Sequence, residues 1–317
     1  MLSDNRVLIN KWSPDRGGVS VIIPTFNRAA ILEKVLFSFD NQSLPANEYE
    51  VIVVDDGSED DTVATVSRLQ QQMSYRLSCI RNEESRGVAG ATNRGIKAAE
   101  GEILVIINDD ALADWRLLEE HLLAHSRTRR TVFCGQVFNV PVPERPLLHP
   151  AMPYLRFSFA FFCGTNVSVR RRELLSVGLF DENIRYGYED LELGFRLSRA
   201  GFRSHLNRRC LVFHYKKPQS AEEYLAGISR YARELGRGAA YYYWKHRCLS
   251  VMMSTGIFPF AVYIHKRFFS GGQLAAFMRR ALTDTRWPAK LRILPGLILY
   301  RLEFYDAVCR RLDELGE

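Results

Sequence analysis

Three features are missing from this sequence, and each absence excludes a class of protein. The six cysteines are scattered and none belongs to a Cys-x-x-Cys pair, which argues against a zinc ribbon or a dense disulfide framework and is typical of a reducing cytosol. Residues 1–18 are polar and lack the apolar core of a signal peptide. The longest apolar stretch, 251–264, has about 14 residues, fewer than the ~20 that a membrane-spanning helix needs. These absences predict a cytoplasmic protein without a transmembrane span.

A glycine-rich phosphate loop is also missing after the first predicted strand. That strand ends in Pro24-Thr25-Phe26-Asn27-Arg28, where a dinucleotide-binding Rossmann enzyme would carry G-x-G-x-x-G and a sugar nucleotidyltransferase its own glycine-rich loop. The absence argues against both classes. A short Thr-Phe-Asn turn could instead offer backbone groups and an aromatic edge to a nucleotide base, although a purely structural turn would have the same sequence.

Charge is distributed unevenly along the chain, although its overall composition is that of an ordinary globular protein. The chain has 47% hydrophobic and 25% charged residues, and its formal net charge is +7. Residues 201–317 carry 20 Lys and Arg against 9 Asp and Glu. A basic C-terminal third suggests a surface that meets anions such as a membrane or an acidic glycan, and a solvated arginine-rich helical face explains it equally well.

Strands and helices are predicted to alternate over the first two thirds of the chain. The predicted strands are 19–24, 49–54, 77–81, 103–108, 131–140 and 163–169, and the predicted helices are 29–39, 60–72, 88–99 and 190–199. This order indicates an α/β fold with a mainly parallel sheet and flanking helices. We therefore expect a leader over 1–18, a catalytic domain over 19–217 and a helical C-terminal region over 218–317.

Three acidic clusters stand at the ends of apolar runs or beside a glycine turn. They are Asp55-Asp56, Asp109-Asp110 and Glu189-Asp190. The first two follow predicted buried strands, so their carboxylates should emerge at one edge of the sheet, where open α/β sheets bind ligands. With no Lys or Arg beside them they would repel one another, unless a divalent cation or sugar hydroxyls use them. The pattern predicts an enzyme site for a metal-bound diphosphate.

Each acidic cluster also has a structural explanation. The first pair suits hydrogen bonds to uracil N–H or ribose, but a turn with a helix cap uses the same residues. The second pair is well placed to hold Mg²⁺ or Mn²⁺ through oxygen ligands, and a cap explains it less easily after a fully apolar strand. The third pair complements the dipole at the start of a helix.

The motifs taken together resemble those of family 2 glycosyltransferases with the GT-A fold. In the order and spacing of that family the chain contains IIPTFNR, VIVVDDGSEDDT, Asn82…Gly87…Asn93…Gly95, GEILVIINDDA, FCGTNVSVRR and GYEDLELGFRLSRAG. The match covers residues 19–215. Any one motif is moderately specific, whereas the ordered set is strong.

The resemblance implies an inverting enzyme that uses a nucleotide sugar, with a UDP-sugar expected ahead of a dTDP- or GDP-sugar. It implies a nucleotide-binding half over 19–112 and an acceptor-binding half over 113–217. The residues that it places around the donor are Pro24, Thr25, Phe26, Asn27, Arg28, Asp55, Asp56, Asn82, Gly87, Asn93 and Asp109. Within this set, Asp109 is expected near the ribose.

The resemblance also assigns the metal and the chemistry. Asp110 would bind Mn²⁺ or Mg²⁺, and His214 matches a histidine that completes the coordination in some relatives, although a lone histidine at a strand end is often structural. Asp190 would be the general base that takes the proton of the acceptor hydroxyl. Glu189 would orient the acceptor or the base.

Two positions depart from the family pattern. Asn108 stands where the family usually has an acidic residue, so fewer charges are available to a metal. Thr92, between Ala91 and Asn93, stands where many members have arginine, so an arginine contact to the donor is missing or supplied elsewhere.

Acceptor and partners are less constrained. The acceptor could be a glycan, a lipid-linked molecule or a protein. We expect residues of the 139–162 loop and of the helical region to select it. The sequence contains no motif for nucleic-acid binding. The segments 241–247 and 258–269 interleave aromatic and basic residues. They could lie in the interface of a membrane, at its inner face, or pack onto the catalytic domain or form a homodimer contact. A glycoside hydrolase and a non-catalytic glycan-binding module stay open as other functions.

Overall fold

The computed structural model has the α/β fold and the helical C-terminal region that the sequence predicts. It describes residues 17–141, 152–153, 161–217, 221–283 and 293–316. The predicted leader and most of the 139–162 loop lie outside the described residues. The described chain forms two compact units: one runs to Glu182 and includes Asp190–Lys217, and the other contains Asn183–Glu189 and the residues beyond Lys217.

Nine strands form one sheet within the described ranges. They are β1 (Val19–Thr25), β2 (Tyr49–Asp55), β3 (Arg76–Arg81), β4 (Ile103–Ile107), β5 (Ala111–Ala113), β6 (Thr131–Val140), β7 (Met152–Pro153), β8 (Asn166–Arg170) and β9 (Arg203–Tyr215). Their order across the sheet is β3-β2-β1-β4-β8-β6-β9-β5, and β7 pairs with β6. The strand predicted over 163–169 begins three residues later, and β5 is too short to give a sequence signal.

Strand direction changes across the sheet. β3, β2, β1 and β4 are parallel, as the alternation of strands and helices predicts. β8 is antiparallel to both of its neighbours, β4 and β6, and β9 is parallel to β6 but antiparallel to β5. The sheet is therefore parallel in its first half and mixed in its second half.

Helices cover the sheet and form the C-terminal region. Those before β9 are α1 (Ala29–Phe39), α2 (Thr62–Leu69), α3 (Gly87–Ala98), α4 (Leu117–His125), α5 (Arg171–Val177) and α6 (Glu189–Arg199). Those after β9 are α7 (Ala221–His246), α8 (Leu249–Thr255), α9 (Pro259–Phe268), α10 (Gln273–Thr283) and α11 (Ile293–Glu314). α2 is shorter than the predicted 60–72, and the carboxylate of Asp60 accepts the N–H of Thr62 at 3.1 Å at its start.

β1, β2 and β4 are buried on both faces, which is why Val and Ile make up most of their residues. Successive residues of β1 point to opposite sides: Ile23 packs in a core with α1 and α2, and Ile22 packs in a second core with α3 and α6. Gly95 of α3 allows this close packing, since a Cβ at that position would lie 2.6 Å from the side chain of Ile22. The strand ends are thereby held rigidly at one edge.

A buried polar network fixes α4 to β8. His121 contacts the hydroxyl of Ser168 at 2.8 Å through Nδ1 and the amide oxygen of Asn166 at 2.9 Å through Nε2. His125 Nε2 contacts the same hydroxyl at 2.9 Å. Burial lowers the pKa of His121 to about 4, and burial together with the neighbouring His121 lowers that of His125 to about 3. Both imidazoles are therefore neutral at physiological pH.

This network predicts that the protein loses stability in mild acid. An unfolded histidine has a pKa of about 6.5, so below that pH the unfolded chain binds protons that the folded chain excludes. The free energy of unfolding should fall by roughly 1.4 kcal/mol per histidine for each pH unit below about 6.5, until the folded pKa is reached. Urea denaturation at pH 7.5 and pH 5 measures this loss.

Two variants isolate the contribution of the network. His125→Gln keeps a polar contact to Ser168 but cannot titrate, so its stability should depend less steeply on pH than that of the wild type. His205→Gln, at an exposed position, should leave the slope unchanged. The comparison of the pH dependence of stability in two proteins removes the contributions of titrating groups that both proteins share. Asp109 is one such group: burial raises its pKa to about 6, so its contribution to stability changes with pH in the direction opposite to that of the histidines. Equal slopes in the wild type and His125→Gln would contradict the prediction.

The second unit is built around the long helices α7 and α11. They approach closely at Gly236, where a Cβ would lie 2.4 Å from the carbonyl oxygen of Phe304. The two segments that interleave aromatic and basic residues, 241–247 and 258–269, differ in exposure. In the first, Tyr242 is buried and Trp244 packs against the core of this unit, whereas much of the second is exposed. No helix within the described ranges is apolar over a length that could cross a bilayer.

Candidate active site

Parallel pairing brings the ends of β1, β2 and β4 to one edge of the sheet. Thr25, at the end of β1, pairs with Asp55, at the end of β2. β4 pairs with β1 so that Ile106 lies opposite Ile22, and the chain after β4 reaches the level of Thr25 at Asp109. The hydroxyl of Thr25 donates to Oδ2 of Asp109 at 2.8 Å. Two of the three acidic clusters thus meet at one sheet edge, as the strand order predicts.

Asp110 lies between two basic side chains that come from distant parts of the chain. Arg28 Nη1 donates to its Oδ2 at 3.0 Å, and His214 Nε2 lies 2.7 Å from its Oδ1. Burial would raise the pKa of Asp110, but His214, Lys216 and Arg28 together outweigh burial and lower it. The expectation that no Arg or Lys lies beside the carboxylates is therefore wrong, because the turn after β1 brings Arg28 to Asp110.

The Asp110–His214 pair has the chemistry of an incomplete metal site. Oδ1 of Asp110 and Nε2 of His214 face each other at 2.7 Å, and neither of these buried atoms has a further hydrogen-bond partner. A carboxylate oxygen and a neutral imidazole nitrogen are both ligands of Mn²⁺. Within the described residues no group of three or more His, Cys, Asp or Glu converges on one point. A metal here would therefore take its remaining ligands from water and from a bound diphosphate.

β9 and β6 place the imidazole of His214. His214 pairs with Ala111 of β5 and with Asn139 of β6, and its Nδ1 lies 3.2 Å from Oδ1 of Asn139. An amide oxygen only accepts hydrogen bonds, so Nδ1 donates to Asn139, and Nε2 is the ring nitrogen that faces Asp110. The sequence did not reveal Asn139, because nothing local marks a partner 75 residues away.

Asp109 differs from Asp110 in its environment. Burial raises its pKa to about 6, although Arg28 and the hydrogen bond from Thr25 act in the opposite direction. Its predicted contact with the ribose stays a prediction. The pair therefore combines one firmly ionised carboxylate, Asp110, with one whose charge is less strongly stabilised.

Asp56 is fully engaged by the loop before α3. Its Oδ1 accepts hydrogen bonds from the side chain of Asn82 at 2.7 Å and the N–H of Arg86 at 2.8 Å. Its Oδ2 accepts from the hydroxyl of Ser85 at 2.7 Å and the N–H of Gly87 at 2.9 Å. Gly87 has a φ of +74°, which suits glycine. In this structure Asp56 orders the loop, and its role in the nucleotide pocket stays a prediction.

Asp55 and Asn93 are also held by protein groups. Oδ1 of Asp55 accepts the N–H of Ser58 at 3.1 Å, and the guanidinium of Arg81 lies 3.6 Å from its Oδ2. The amide of Asn93 is buried and pairs with both backbone groups of Phe180, at 2.9 Å each. These two residues fix the loops around the strand ends, and their predicted donor contacts stay predictions.

Hydrogen bonds to the loop after β2 hold the turn after β1. Asn27 has a φ of +54°, its N–H donates to the hydroxyl of Ser58 at 2.8 Å, and its side-chain oxygen accepts the N–H of Glu59 at 2.8 Å. Phe26 is half exposed beside it, following Pro24 and Thr25 of the strand. The turn therefore presents an aromatic side chain and Arg28 at the acidic edge.

The predicted catalytic pair lies at the start of α6. Glu189 is the first residue of this helix and Asp190 the second, and Oδ1 of Asp190 accepts the N–H of Leu191 at 2.8 Å. The carboxylate of Asp190 thus caps a free N–H of its own helix, as the structural explanation of this pair requires. One carboxylate oxygen suffices for that contact, and the catalytic roles of both residues stay predictions.

Arg94 is a second residue that sequence reasoning missed. Its Nη1 donates to the side-chain oxygen of Asn82 at 2.6 Å and to the carbonyl of Arg81 at 2.7 Å. It directly follows Asn93, and so stands two residues after Thr92, where the family pattern has arginine. A guanidinium therefore lies at this edge of the sheet, although not from the expected position.

Comparison with known proteins gives one family. A model of glycosyl transferase family 2 matches residues 20–174. The uncharacterised glycosyltransferase YfnE of Bacillus subtilis is 28% identical over 261 residues, which covers 64% of this chain and 66% of YfnE. The GalNAc(5)-diNAcBac-PP-undecaprenol beta-1,3-glucosyltransferase of Campylobacter jejuni is 38% identical over 92 residues, which is 29% of each protein. The chain thus spans less than two thirds of the length of either relative.

A solved structure supports the fold over nearly the whole chain. The mannosyltransferase PcManGT from Pyrobaculum calidifontis, solved in complex with GDP-Man and Mn²⁺, superposes with a TM-score of 0.57 and 23% identity. The match covers 97% of this chain and 92% of that protein. At this identity the likeness establishes the architecture of the chain and leaves its ligands to be argued from its own residues.

Proposed function

We propose that this chain, which belongs to glycosyl transferase family 2 through residues 20–174, transfers a sugar from a nucleotide-sugar donor to an acceptor hydroxyl with inversion. The observation that carries the proposal is the Asp110–His214 pair, whose buried atoms face each other at 2.7 Å and have no further hydrogen-bond partner. Such a pair at the carboxyl edge of parallel strands suits a metal-bound diphosphate. Relatives named as mannosyl- and glucosyltransferases support the same class of reaction.

Asp110 and His214 would hold Mn²⁺ or Mg²⁺. Mg²⁺ is usually bound through one or two carboxylates together with substrate phosphates and water, so few protein ligands are expected in such a site. When bound, the ion neutralises charge that develops on the leaving nucleoside diphosphate. Arg28, half exposed beside Asp110, would add a second positive charge on the same side.

The nucleotide would lie along the edge formed by β1 and β2. Thr25, Phe26 and Asp109 surround the end of β1, and the loop ordered by Asp56 borders the same edge. A UDP-sugar is the first donor to test, followed by dTDP- and GDP-sugars. Nucleotide binding would thus use residues 19–112, and residues 113–217 would bind the acceptor.

Asp190 would act as general base in a single in-line displacement. Its carboxylate would take the proton of the acceptor hydroxyl as the hydroxyl oxygen attacks the anomeric carbon. The bond to the diphosphate oxygen breaks in the same step, so no covalent sugar–enzyme intermediate forms. The acceptor would be a glycan, lipid-linked or protein hydroxyl.

A screen of nucleotide sugars tests the proposal. The protein is incubated with each donor, a panel of acceptors, and Mn²⁺ or EDTA, and release of the nucleoside diphosphate is measured. Release that requires both the metal and an acceptor supports the transferase. Hydrolysis of glycosides without a nucleotide would indicate a hydrolase instead, and binding of donor without turnover under every condition would indicate a binding module.

Replacing Asn139 should weaken metal binding through His214. Leucine has a similar volume but cannot accept a hydrogen bond from Nδ1, so in Asn139→Leu the imidazole loses the contact that orients it. Loss of such a partner typically costs about 10–100-fold in metal affinity. Titration of Mn²⁺ in the presence of UDP, followed by electron paramagnetic resonance, measures the change. Gln136→Leu on the same strand is the matched control, and equal Mn²⁺ affinity in the wild type and Asn139→Leu would refute the role of Asn139.

A further inference from the structure

The second unit contains an apolar cavity of about 590 Å³ that the transfer reaction does not use. It lies among α9, α10 and α11, and its lining includes Phe260, Ile264, Leu274, Leu297, Ile298 and Leu302. Pockets that bind small ligands have volumes of roughly 300–1,000 Å³. A cavity of this size and lining suits a hydrocarbon chain.

The helices that line this cavity also expose large apolar side chains to solvent. Phe260 of α9 is 74% exposed and Leu297 of α11 is 55% exposed, and both line the cavity itself. Tyr263 and Phe268 of α9 and Phe277 of α10 are each more than 60% exposed. Single exposed apolar residues are common, but a concentration of them on the helices that line an apolar cavity marks a surface that is covered by something else.

Positive charge accompanies the apolar surface. Arg301 lines the cavity and is exposed, and within the described part of the chain it forms no ion pair. Arg267 is also exposed, and its guanidinium lies 5.5 Å from the ring centre of Phe268. A partner that covers this face must therefore combine hydrocarbon with negative charge.

We propose that this face of the second unit binds an anionic membrane surface, with one acyl chain of an anionic phospholipid in the cavity and its phosphate beside Arg301. Aromatic and basic residues on adjoining helices are the side chains that hold proteins in the interfacial region of a bilayer. Because no helix in the described ranges can span a bilayer, the contact is peripheral.

A second copy of this chain fits the same face less well. In a two-fold symmetric dimer the same patch meets itself, so Arg301 and Arg267 of both copies would be gathered in one interface. Like charges brought together in an apolar interface are unfavourable. An anionic bilayer offers the opposite charge and an apolar interior at once.

Vesicle sedimentation of the full chain tests the proposal. Sucrose-loaded vesicles of phosphatidylcholine alone are compared with vesicles that also contain phosphatidylglycerol, at low and high salt. We expect binding to the anionic vesicles only, with loss at high salt. No donor or metal is present, so failure here is independent of failure of the proposed transferase reaction.

Three variants test whether the contact with the vesicle lies on this face. Arg301→Gln should weaken vesicle binding about five-fold, the effect of one basic residue near an anionic surface. Leu297→Asp should weaken it at least about ten-fold, since it removes apolar contact and adds a like charge. Ala261→Trp, which fills the cavity, should reduce the phospholipid that stays bound in native mass spectrometry while leaving part of the salt-sensitive adsorption.

Controls outside the face separate a local effect from general damage. Phe37→Ser and Arg209→Gln remove an exposed aromatic and an exposed basic residue from the first unit, and both should bind vesicles like the wild type. All variants should keep the wild-type far-UV circular dichroism. Parallel weakening of controls and test variants would overturn the assignment to this face.

The other outcomes are equally decisive. Absence of binding to anionic vesicles at low salt, or equal binding to neutral vesicles, overturns the proposal. A dimer in light scattering that Leu297→Asp dissociates would mean that a second copy covers the face. Binding of farnesyl phosphate without any vesicle binding would mean that the cavity takes an isoprenoid phosphate from solution instead of docking on a bilayer.

Discussion

Asp110→Ala is expected to abolish Mn²⁺-dependent binding of UDP while leaving the fold intact. Asp110 offers an ionised carboxylate whose Oδ1 faces His214 Nε2 at 2.7 Å, and alanine leaves only the imidazole. Loss of a residue that merely orients a metal ligand costs about 10–100-fold, so loss of the ligand itself should cost at least roughly 100-fold. Calorimetric titration of UDP in the presence of Mn²⁺ measures the effect.

The contribution of Arg28 must be separated from that of the metal. In the variant Arg28 loses its carboxylate partner and is free to contact the diphosphate directly, so some UDP binding can persist. The informative quantity is therefore the ratio of affinities with Mn²⁺ and with EDTA, which should approach one. Asp61→Ala, which removes an exposed acid at the start of α2, should keep the wild-type ratio. The same ratio in Asp110→Ala would remove Asp110 from the metal site.

Asp190→Asn is expected to keep donor binding and lose transfer. Asparagine has the same shape, and its side-chain oxygen can still accept the N–H of Leu191, which lies 2.8 Å from Oδ1 of Asp190. It cannot accept the proton of the acceptor hydroxyl. Loss of general base catalysis costs about 10²–10⁴ in rate. The rate of transfer at saturating donor, together with UDP affinity, distinguishes the two effects.

Glu189→Gln is the matched control for this experiment. If Glu189 only orients the acceptor, its variant should raise the KM for acceptor more than it lowers kcat. A large fall in kcat for Glu189→Gln with near-normal transfer by Asp190→Asn would exchange the two roles. Normal transfer by both variants would place the base elsewhere.

Local sequence patterns predicted those parts of the fold that local patterns determine. The alternation of buried Val and Ile runs with amphipathic segments predicted β1, β2, β4 and α1 to within one residue. The same runs placed Asp55 and Asp109 at one sheet edge, because parallel strands carry their ends to the same side. β5 could not be predicted, since three residues carry no periodicity.

The parts of the site that the sequence did not predict depend on contacts between distant segments of the chain. Arg28 reaches Asp110 across 82 residues of sequence, and Asn139 reaches His214 across 75. Both contacts follow from the pairing of β1 with β4 and of β6 with β9, which no local pattern encodes. Asp56 shows the reverse case, because its predicted place at the edge is observed but its four hydrogen bonds to the 82–87 loop could not be foreseen.

The long separation between Asp110 and His214 has a consequence for synthesis of the protein. His214 belongs to β9, which pairs with β5 and β6, so the two facing atoms meet only after β9 has left the ribosome. At about 5–20 residues per second, the roughly 100 intervening residues take about 5–20 s to translate. Throughout that interval the acidic residues at the ends of β2 and β4 are already part of the nascent chain, but the imidazole is not. A truncated translation product that ends before β9 would therefore carry the acidic strand ends and remain unable to form the two-ligand site.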